Sequence, residues 1–233
     1  AINPEYLDKN YSQIFIFWDK LFGTFQEELP NVPAVYGVTR PVRTWNPIKI
    51  NFMHLGLLIK DAWLTKSWND KFRIWMMPTG WRPADVAEKY PVHKINDVYN
   101  MQKFDTKAST SLHVWSWVQI IMALLFISYL FGNIASINAL NAYYIYIYGF
   151  FIFLSVYAYT DLMDRNKYAI VWEVIKNGFG IAILLQTGDW FGAAALSPVL
   201  KYIVGAYFLL STIVTLWFVM KHAKEDQQVM VVA

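Results

Sequence analysis

The chain has 233 residues, of which 56% are hydrophobic, 18% aromatic and only 16% charged, well below the roughly 25% charged residues usual for a soluble domain. Its net charge of +3 is small and dispersed, which argues against nucleic acid, where a clustered basic face is expected. With no Cys, disulfides, thiolate metal sites and a cysteine nucleophile are excluded, and a reducing compartment is compatible. Eleven Trp, fifteen Tyr and sixteen Phe suit anchoring at headgroup level, where a ring with a polar edge is well placed.

The first residue is Ala1, and no charged, apolar leader with a cleavage site follows it; the start reads as the interior of a longer protein. Ile14, Phe15, Ile16, Phe17 and Leu21 form an apolar stretch too short to span a bilayer and broken by Asp19 and Lys20, which predicts a core or interfacial helix. Pro30, Pro33, Pro41 and Pro47 divide residues 29–47 into turns. From Ile48 to Met77 the pattern is helical, with Leu55, Leu58, Ile59, Ala62 and Trp63 on one face and Lys60, Lys66, Lys71 and Arg73 among Trp63, Trp68, Trp75 and Met76. Two readings are open for this stretch: a basic, Trp-rich helix lying on a membrane surface, or a helix packed on its own domain. Pro78, Gly80 and Pro83 end it, and residues 84–111 read as a polar linker with short helical turns.

Beyond Leu112 the composition changes. Fourteen of the 20 Lys and Arg precede it, and long apolar runs follow. Residues 112–131, 142–159 and 200–220 are each long and apolar enough to cross the roughly 30 Å hydrocarbon core, with Lys201 placed to snorkel at the end of its run. A fourth span, residues 168–185, contains Glu173 and Lys176, three apart and so on one helix face. That pair is either an ion pair at the membrane boundary, where the span starts later, or a buried intramembrane polar contact facing a cavity. The loop 133–141 is uncharged, whereas Arg165, Lys167, Lys221 and Lys224 flank the other ends. Under the positive-inside rule this alternation predicts four spans, a tail at 221–233, and both flanks cytoplasmic. The predicted fold class is an all-α integral membrane protein whose N-terminal region is cytoplasmic.

His54, His93, His113 and His222 are scattered, with no spacing that lets one helix or turn bring two of them to a metal. No phosphate-binding or serine-nucleophile motif occurs, and taken alone the chain shows no complete active site.

Residues 3–25, NPEYLDKNYSQIFIFWDKLFGTF, resemble the segment that follows the last histidine box of the fatty acid hydroxylase / sterol desaturase superfamily. There, N-P-x-Y-L-D-x-N-Y-G and then W-D-x-x-F-G-T-F follow the box. Asn3, Pro4, Tyr6, Leu7, Asp8, Asn10 and Tyr11 match the first part, and Trp18, Asp19, Phe22, Gly23, Thr24 and Phe25 the second; Ser12 stands where the family has Gly. Residues 35–47 and 60–83 extend the resemblance, most closely to the alkylglycerol monooxygenase-like branch, while the later helices match only as apolar spans. The resemblance implies a parent membrane di-iron oxidoreductase that hydroxylates a lipid: a fatty acyl chain, a sterol or an alkylglycerol. It implies metal-ligand histidines immediately before Ala1, none in this chain, tetrahydrobiopterin as reductant, and a chain inactive by itself. Residues 1–83 would then be the edge of the catalytic domain, its partners being membrane lipid, the lipid substrate and the rest of the parent polypeptide. Asn3, Asp8, Asn10 and Tyr11 are candidates for orienting the missing imidazoles. They also suit a capped turn, with Asp8 capping the helix that follows, and Trp18 and Asp19 are expected to fix that helix against the catalytic core. The rival reading is a non-catalytic membrane module for lipid access, oligomerisation or partner binding.

Overall fold

In the computed structural model the described residues are 1–12, 14–92, 94–95, 97–106 and 108–232, and the regular elements among them are all helical. His93 lies outside the described residues. The chain divides into two compact units, Ala1–Arg43 with Phe52–Phe104 and Thr44–Asn51 with Asp105–Ala233.

In the first unit, α1 (Ile16–Phe22) stops at Gly23, whose φ of 73° is the left-handed conformation that a residue without Cβ adopts freely. α2 (Pro47–Leu64) starts in the second unit and continues into the first. Asn46 precedes it and accepts from the amides of Ile48 (3.0 Å) and Lys49 (3.2 Å), while Pro47 occupies the first helical position, where a missing N–H costs nothing. The periodicity from Ile48 to Met77 predicts one helical stretch, but the structure breaks it at Thr65–Ser67. The Thr65 hydroxyl and Lys66 amide donate to Asp85 (3.1 and 3.0 Å), and Ser67 caps a new helix, α3 (Trp68–Arg73), by accepting from the Asp70 amide. Local side-chain bonds of this kind compete with the helical ladder. The Lys71 ammonium then satisfies the terminal carbonyls of Ala62 (2.8 Å) and Trp63 (3.0 Å), setting α3 against the end of α2. α4 (Ala84–Lys89) follows Pro83, and Asp61, buried on α2, is held by the Arg82 guanidinium at 2.5 and 2.9 Å.

The second unit contains α5 (Thr110–Gly132), the short α6 (Ile134–Leu140), α7 (Tyr144–Met163), α8 (Ala169–Thr187) and α9 (Leu200–Val232). Four of these helices are long and apolar enough to cross a membrane: Thr110–Gly132, Tyr144–Met163, Ala169–Thr187 and Leu200–Asp226. Each sequence-predicted span falls on one of them, and the protein is an all-α integral membrane protein. Two boundaries differ from the sequence reading. The uncharged loop 133–141 is mostly α6, and the residues after Met220 continue α9 instead of leaving it as a tail.

α8 packs between α7 and α9, and α5 lies against α7. The core is aromatic: Phe126, Tyr148, Phe151, Trp190 and Phe208 meet largely edge-on, with Phe151 and Trp190 centroids 4.9 Å apart at 73°, the arrangement that ring quadrupoles favour. The buried Tyr148 hydroxyl donates to the Phe126 carbonyl (3.0 Å) and accepts from the Trp190 indole (3.1 Å), so neither polar edge is left unpaired. At Gly180 the α9 ring of Phe208 comes so close that a Cβ would lie 2.5 Å from it. Leu124 and Leu125 of α5, Phe150 and Phe153 of α7 and Leu209, Leu210 and Ile213 of α9 point outward, as a lipid-facing surface requires.

Candidate functional site

The residues that carry the N-terminal motif fold into a knot within the first unit. Asn3 is buried; its carbonyl closes a turn through Pro4 by accepting from the Tyr6 and Leu7 amides. Its side chain reaches a distant segment, accepting from the Val35 amide at 3.2 Å and donating to the Pro33 carbonyl at 3.4 Å. Tyr6 donates to the Val32 carbonyl (2.5 Å) and accepts from the Leu29 amide (2.8 Å). Asn10 clasps Gln26 by both ends of its amide, at 2.8 and 3.0 Å. Asp8 and Asn10 have φ of 56° and 54°, a left-handed conformation that Asp and Asn tolerate better than most residues.

Asp19, 2% exposed, ties the knot to α1. Its carboxylate accepts from the Thr24 hydroxyl (2.7 Å) and from the Tyr11 and Ser12 amides (both 2.9 Å). The Thr24 hydroxyl first, and then those amides, outweigh burial and hold this carboxyl below the usual carboxylate range. Ser12 contributes its backbone N–H, a group that Gly also has, so the departure from the family residue leaves this contact intact. Asp8 does not cap the helix that follows: α1 begins after Phe15 with no side-chain cap, and the acid that satisfies amides here is Asp19 on the helix itself. Asp8 instead lies beside Tyr11, whose hydroxyl is pushed up by burial and then by the Asp8 charge.

Asn3, Asn10 and Asp19 thus direct their polar atoms into joining residues 1–12 to residues 24–35. Trp18 is half-exposed and stacks on Phe22 at 6.1 Å. With its one acid turned inward, α1 and the residues before it present Ile14, Phe15, Phe17, Leu21 and Phe22 outward. A hollow of about 670 Å³ borders the knot, lined by Pro4, Leu7, Asp8, Thr39, Lys94 and Tyr99 among others.

A second polar constellation lies inside the span bundle. Glu173 and Lys176, each side chain 1% exposed, pair at 2.7 Å on α8. The same Glu173 oxygen accepts from Asn177 (2.9 Å) and from the Ser211 hydroxyl. Ser211 accepts from Gln119 of α5 (2.8 Å), Gln119 accepts from Tyr207, and Asn177 also donates to Thr212 (2.8 Å). One layer of hydrogen bonds therefore joins α5, α8 and α9. Asn177 Oδ1, Thr215 Oγ1 and Trp115 Nε1 are buried without a hydrogen-bond partner among the described residues. The sequence reading missed Gln119, Asn177, Tyr207 and Ser211; a Gln alone in an apolar run, and Tyr207 one turn before Ser211, were the available signals.

A third cluster closes one end of the bundle. Buried Asp161 of α7 accepts from Lys49 and from Asn166 (3.1 Å), and Asp164 accepts from the Thr44 hydroxyl and the Trp45 amide (2.6 Å). Burial opposes the charge on Lys49, but the hydrogen bond to Asp161 and its charge outweigh it and push the ammonium pKa up. Arg165 reaches Glu225 (3.0 Å) and Asp226 (3.1 Å) on α9.

Among the described residues no group of three or more His, Cys, Asp or Glu side chains is placed to hold a metal ion. His54, His113 and His222 remain isolated, with His222 packed beside Phe218.

No family model matches the chain, and no solved structure matches it. It is 31% identical over 174 residues to alkylglycerol monooxygenase of Homo sapiens, covering 73% of this chain and 37% of that protein. The protein of the same name in Xenopus tropicalis is 28% identical over 123 residues, covering 52% of this chain and 27% of that one. The one in Danio rerio is 24% identical over 216 residues, covering 91% and 45%. The chain thus spans less than half the length of these relatives. With the motif at residues 3–25 and the four spans, these alignments make the chain a relative of the alkylglycerol monooxygenases, consistent with that branch of the fatty acid hydroxylase superfamily.

Proposed function

We propose that the chain works as part of a membrane-bound lipid monooxygenase, an oxidoreductase whose substrate is an alkylglycerol. The observation that carries this reading is the 174-residue match to human alkylglycerol monooxygenase. With two electrons and two protons from a reductant, one atom of dioxygen enters a C–H bond of the carbon bearing the ether oxygen and the other leaves as water; the hemiacetal so formed collapses to an aldehyde and a free glycerol.

The superfamily resemblance implies a di-iron centre, which supplies oxygen activation that side chains alone cannot, and tetrahydrobiopterin as reductant. The described residues of this chain do not fit such a centre, because none of their His, Cys, Asp or Glu side chains gather in threes. No step of the reaction is therefore assigned to them. On this reading the ligand histidines belong to the rest of the protein, and the 233 residues alone are inactive. The chain contributes position: the Asn3–Asn10–Asp19 knot holds α1 so that Ile14, Phe15, Phe17, Leu21 and Phe22 face outward, and the histidine-bearing part of the polypeptide covers them. The spans carry the assembly in the membrane, both flanks on the cytoplasmic side. The competing reading, a non-catalytic membrane module, draws on the same absence of gathered ligands.

The test uses the longest natural polypeptide containing these residues, in membranes, supplied with oxygen, tetrahydrobiopterin and, separately, an alkylglycerol, a fatty acid and a sterol. Aldehyde release from the alkylglycerol is the expected result. Oxygenation of the sterol or the fatty acid alone overturns the substrate assignment, and no product from any of the three favours the module. Iron near two per chain in the 233-residue polypeptide by itself would contradict the placement of the ligands outside it.

A further inference from the structure

The α2–α3 corner leaves a large aromatic surface uncovered. Trp63 is 83% exposed and Met76 89%, and Trp68, Phe72 and Trp75 are each at least half exposed. This surface is not a loose tip. Lys71 bonds the last carbonyls of α2, Asp61 is clamped by Arg82, and Asp85 holds the Thr65–Lys66 turn, so the rings are displayed by a rigid corner. Monomeric soluble surfaces seldom hold so many large apolar side chains together, and such patches mark an interaction site.

Its composition identifies the occupant. Between Lys60 and Met77 stand Lys60, Lys66, Lys71 and Arg73 against Asp61 and Asp70. Both acids are engaged internally, Asp61 by Arg82 and Asp70 by Arg73. Among the described residues no ion pair engages Lys60, Lys66 or Lys71, and Lys71 sits 5.7 Å over the Trp68 ring. Exposed tryptophans interleaved with unneutralised lysines match the headgroup zone of a bilayer with anionic lipid, where indoles sit at the boundary and ammonium groups meet phosphates. The outward face of α1 contrasts with it: Ile, Phe and Leu predominate there and Lys20 stands among them with Asp19 turned inward, a surface suited to protein. The chain itself carries four membrane-crossing helices, so a bilayer surface is always within its reach. We propose that the corner formed by Trp63, Trp68, Phe72, Trp75 and Met76 docks on the anionic surface of the membrane.

The absence of Cys gives a clean test. The full 233-residue chain, as single-cysteine variants Phe72→Cys and Met76→Cys carrying a nitroxide, is reconstituted in phosphatidylcholine vesicles with and without phosphatidylserine. Glu27→Cys serves as the aqueous reference and Leu124→Cys, on the outward face of α5, as the lipid reference. The ratio of oxygen to nickel-chelate accessibility reports depth. At both corner positions it is expected several-fold above Glu27→Cys, short of Leu124→Cys, and higher with phosphatidylserine present. Adding Lys66→Glu, which leaves the tryptophans in place, should reduce it in the anionic vesicles only. Ratios equal to the aqueous reference would show a solvent-exposed corner and overturn the proposal. Exclusion of both reagents would show that protein covers it, with the same consequence. An unchanged ratio with and without phosphatidylserine would overturn the anionic-lipid assignment.

Discussion

At the residue scale, two carboxylates illustrate opposite uses of charge. Asp19 neutralises nothing; it accepts from one hydroxyl and two amides and so fixes a loop. Because its folded pKa is lowered, it contributes stability above the ordinary carboxylate pKa, near 4, and that contribution is lost as pH falls through the lower folded value. Asp85 and Asp97 are lowered similarly by hydrogen bonds, so they share the same acid window. Asp19→Asn should expose residues 1–35 to protease at neutral pH and flatten the acid dependence of that cleavage; an unchanged proteolysis profile would remove Asp19 from this role. Asp161 works with a partner instead. Lys49→Met leaves a buried carboxylate without its ammonium, and since Lys49 is about one-third exposed the cost should sit below the usual 3–5 kcal/mol, at about 2–3 kcal/mol. Thermal unfolding in detergent measures it, and Lys49→Met with Asp161→Leu should recover part of the loss. Lys49 has a raised folded pKa, so its stabilisation is complete below the ordinary lysine value near 10.4 and fades only as pH rises through the raised one.

At the element scale, α8 carries Glu173, Lys176 and Asn177 buried within its span and is enclosed by α7 and α9. Its polar face meets Ser211 and Thr212 of α9, and through Ser211 it meets Gln119 of α5. Removing one member of the buried pair strands the other: Glu173→Gln or Lys176→Met should each destabilise the bundle by about 3–5 kcal/mol. Replacing both with apolar residues should cost less than the sum, as double-mutant denaturation in detergent would show. Sequence periodicity put Glu173 and Lys176 on one face but left open whether that face met a boundary or an interior. The answer depended on Ser211 and Thr212 of α9, 38 and 35 positions from their partners Glu173 and Asn177.

For the whole molecule, Arg165, Lys167, Lys221 and Lys224 gather at one set of span ends and the uncharged 133–141 stretch lies at the other. If both flanks are cytoplasmic, as the positive-inside pattern predicts, a membrane-impermeant maleimide should label Lys167→Cys and Lys224→Cys only from the cytoplasmic side and Asn141→Cys only from the opposite side. The reverse pattern would invert the topology, and labelling of all three from one side would remove a span.

The sequence by itself determined the membrane class, the four spans and the family motif. Partition into hydrocarbon is nearly a sum over neighbouring side chains, and a run of twenty uncharged apolar residues settles it locally. Only the tertiary structure decided where the polar groups go. Asn3 finds Val35, Asp19 finds Tyr11 and Thr24, and Gln119 finds Ser211 across 92 positions of sequence. The same holds for the break at Thr65–Ser67, set by Asp85 from α4. A hydrogen bond is directional and needs its partner within about 3 Å, and which partner arrives there is a property of the packed chain, not of any local stretch.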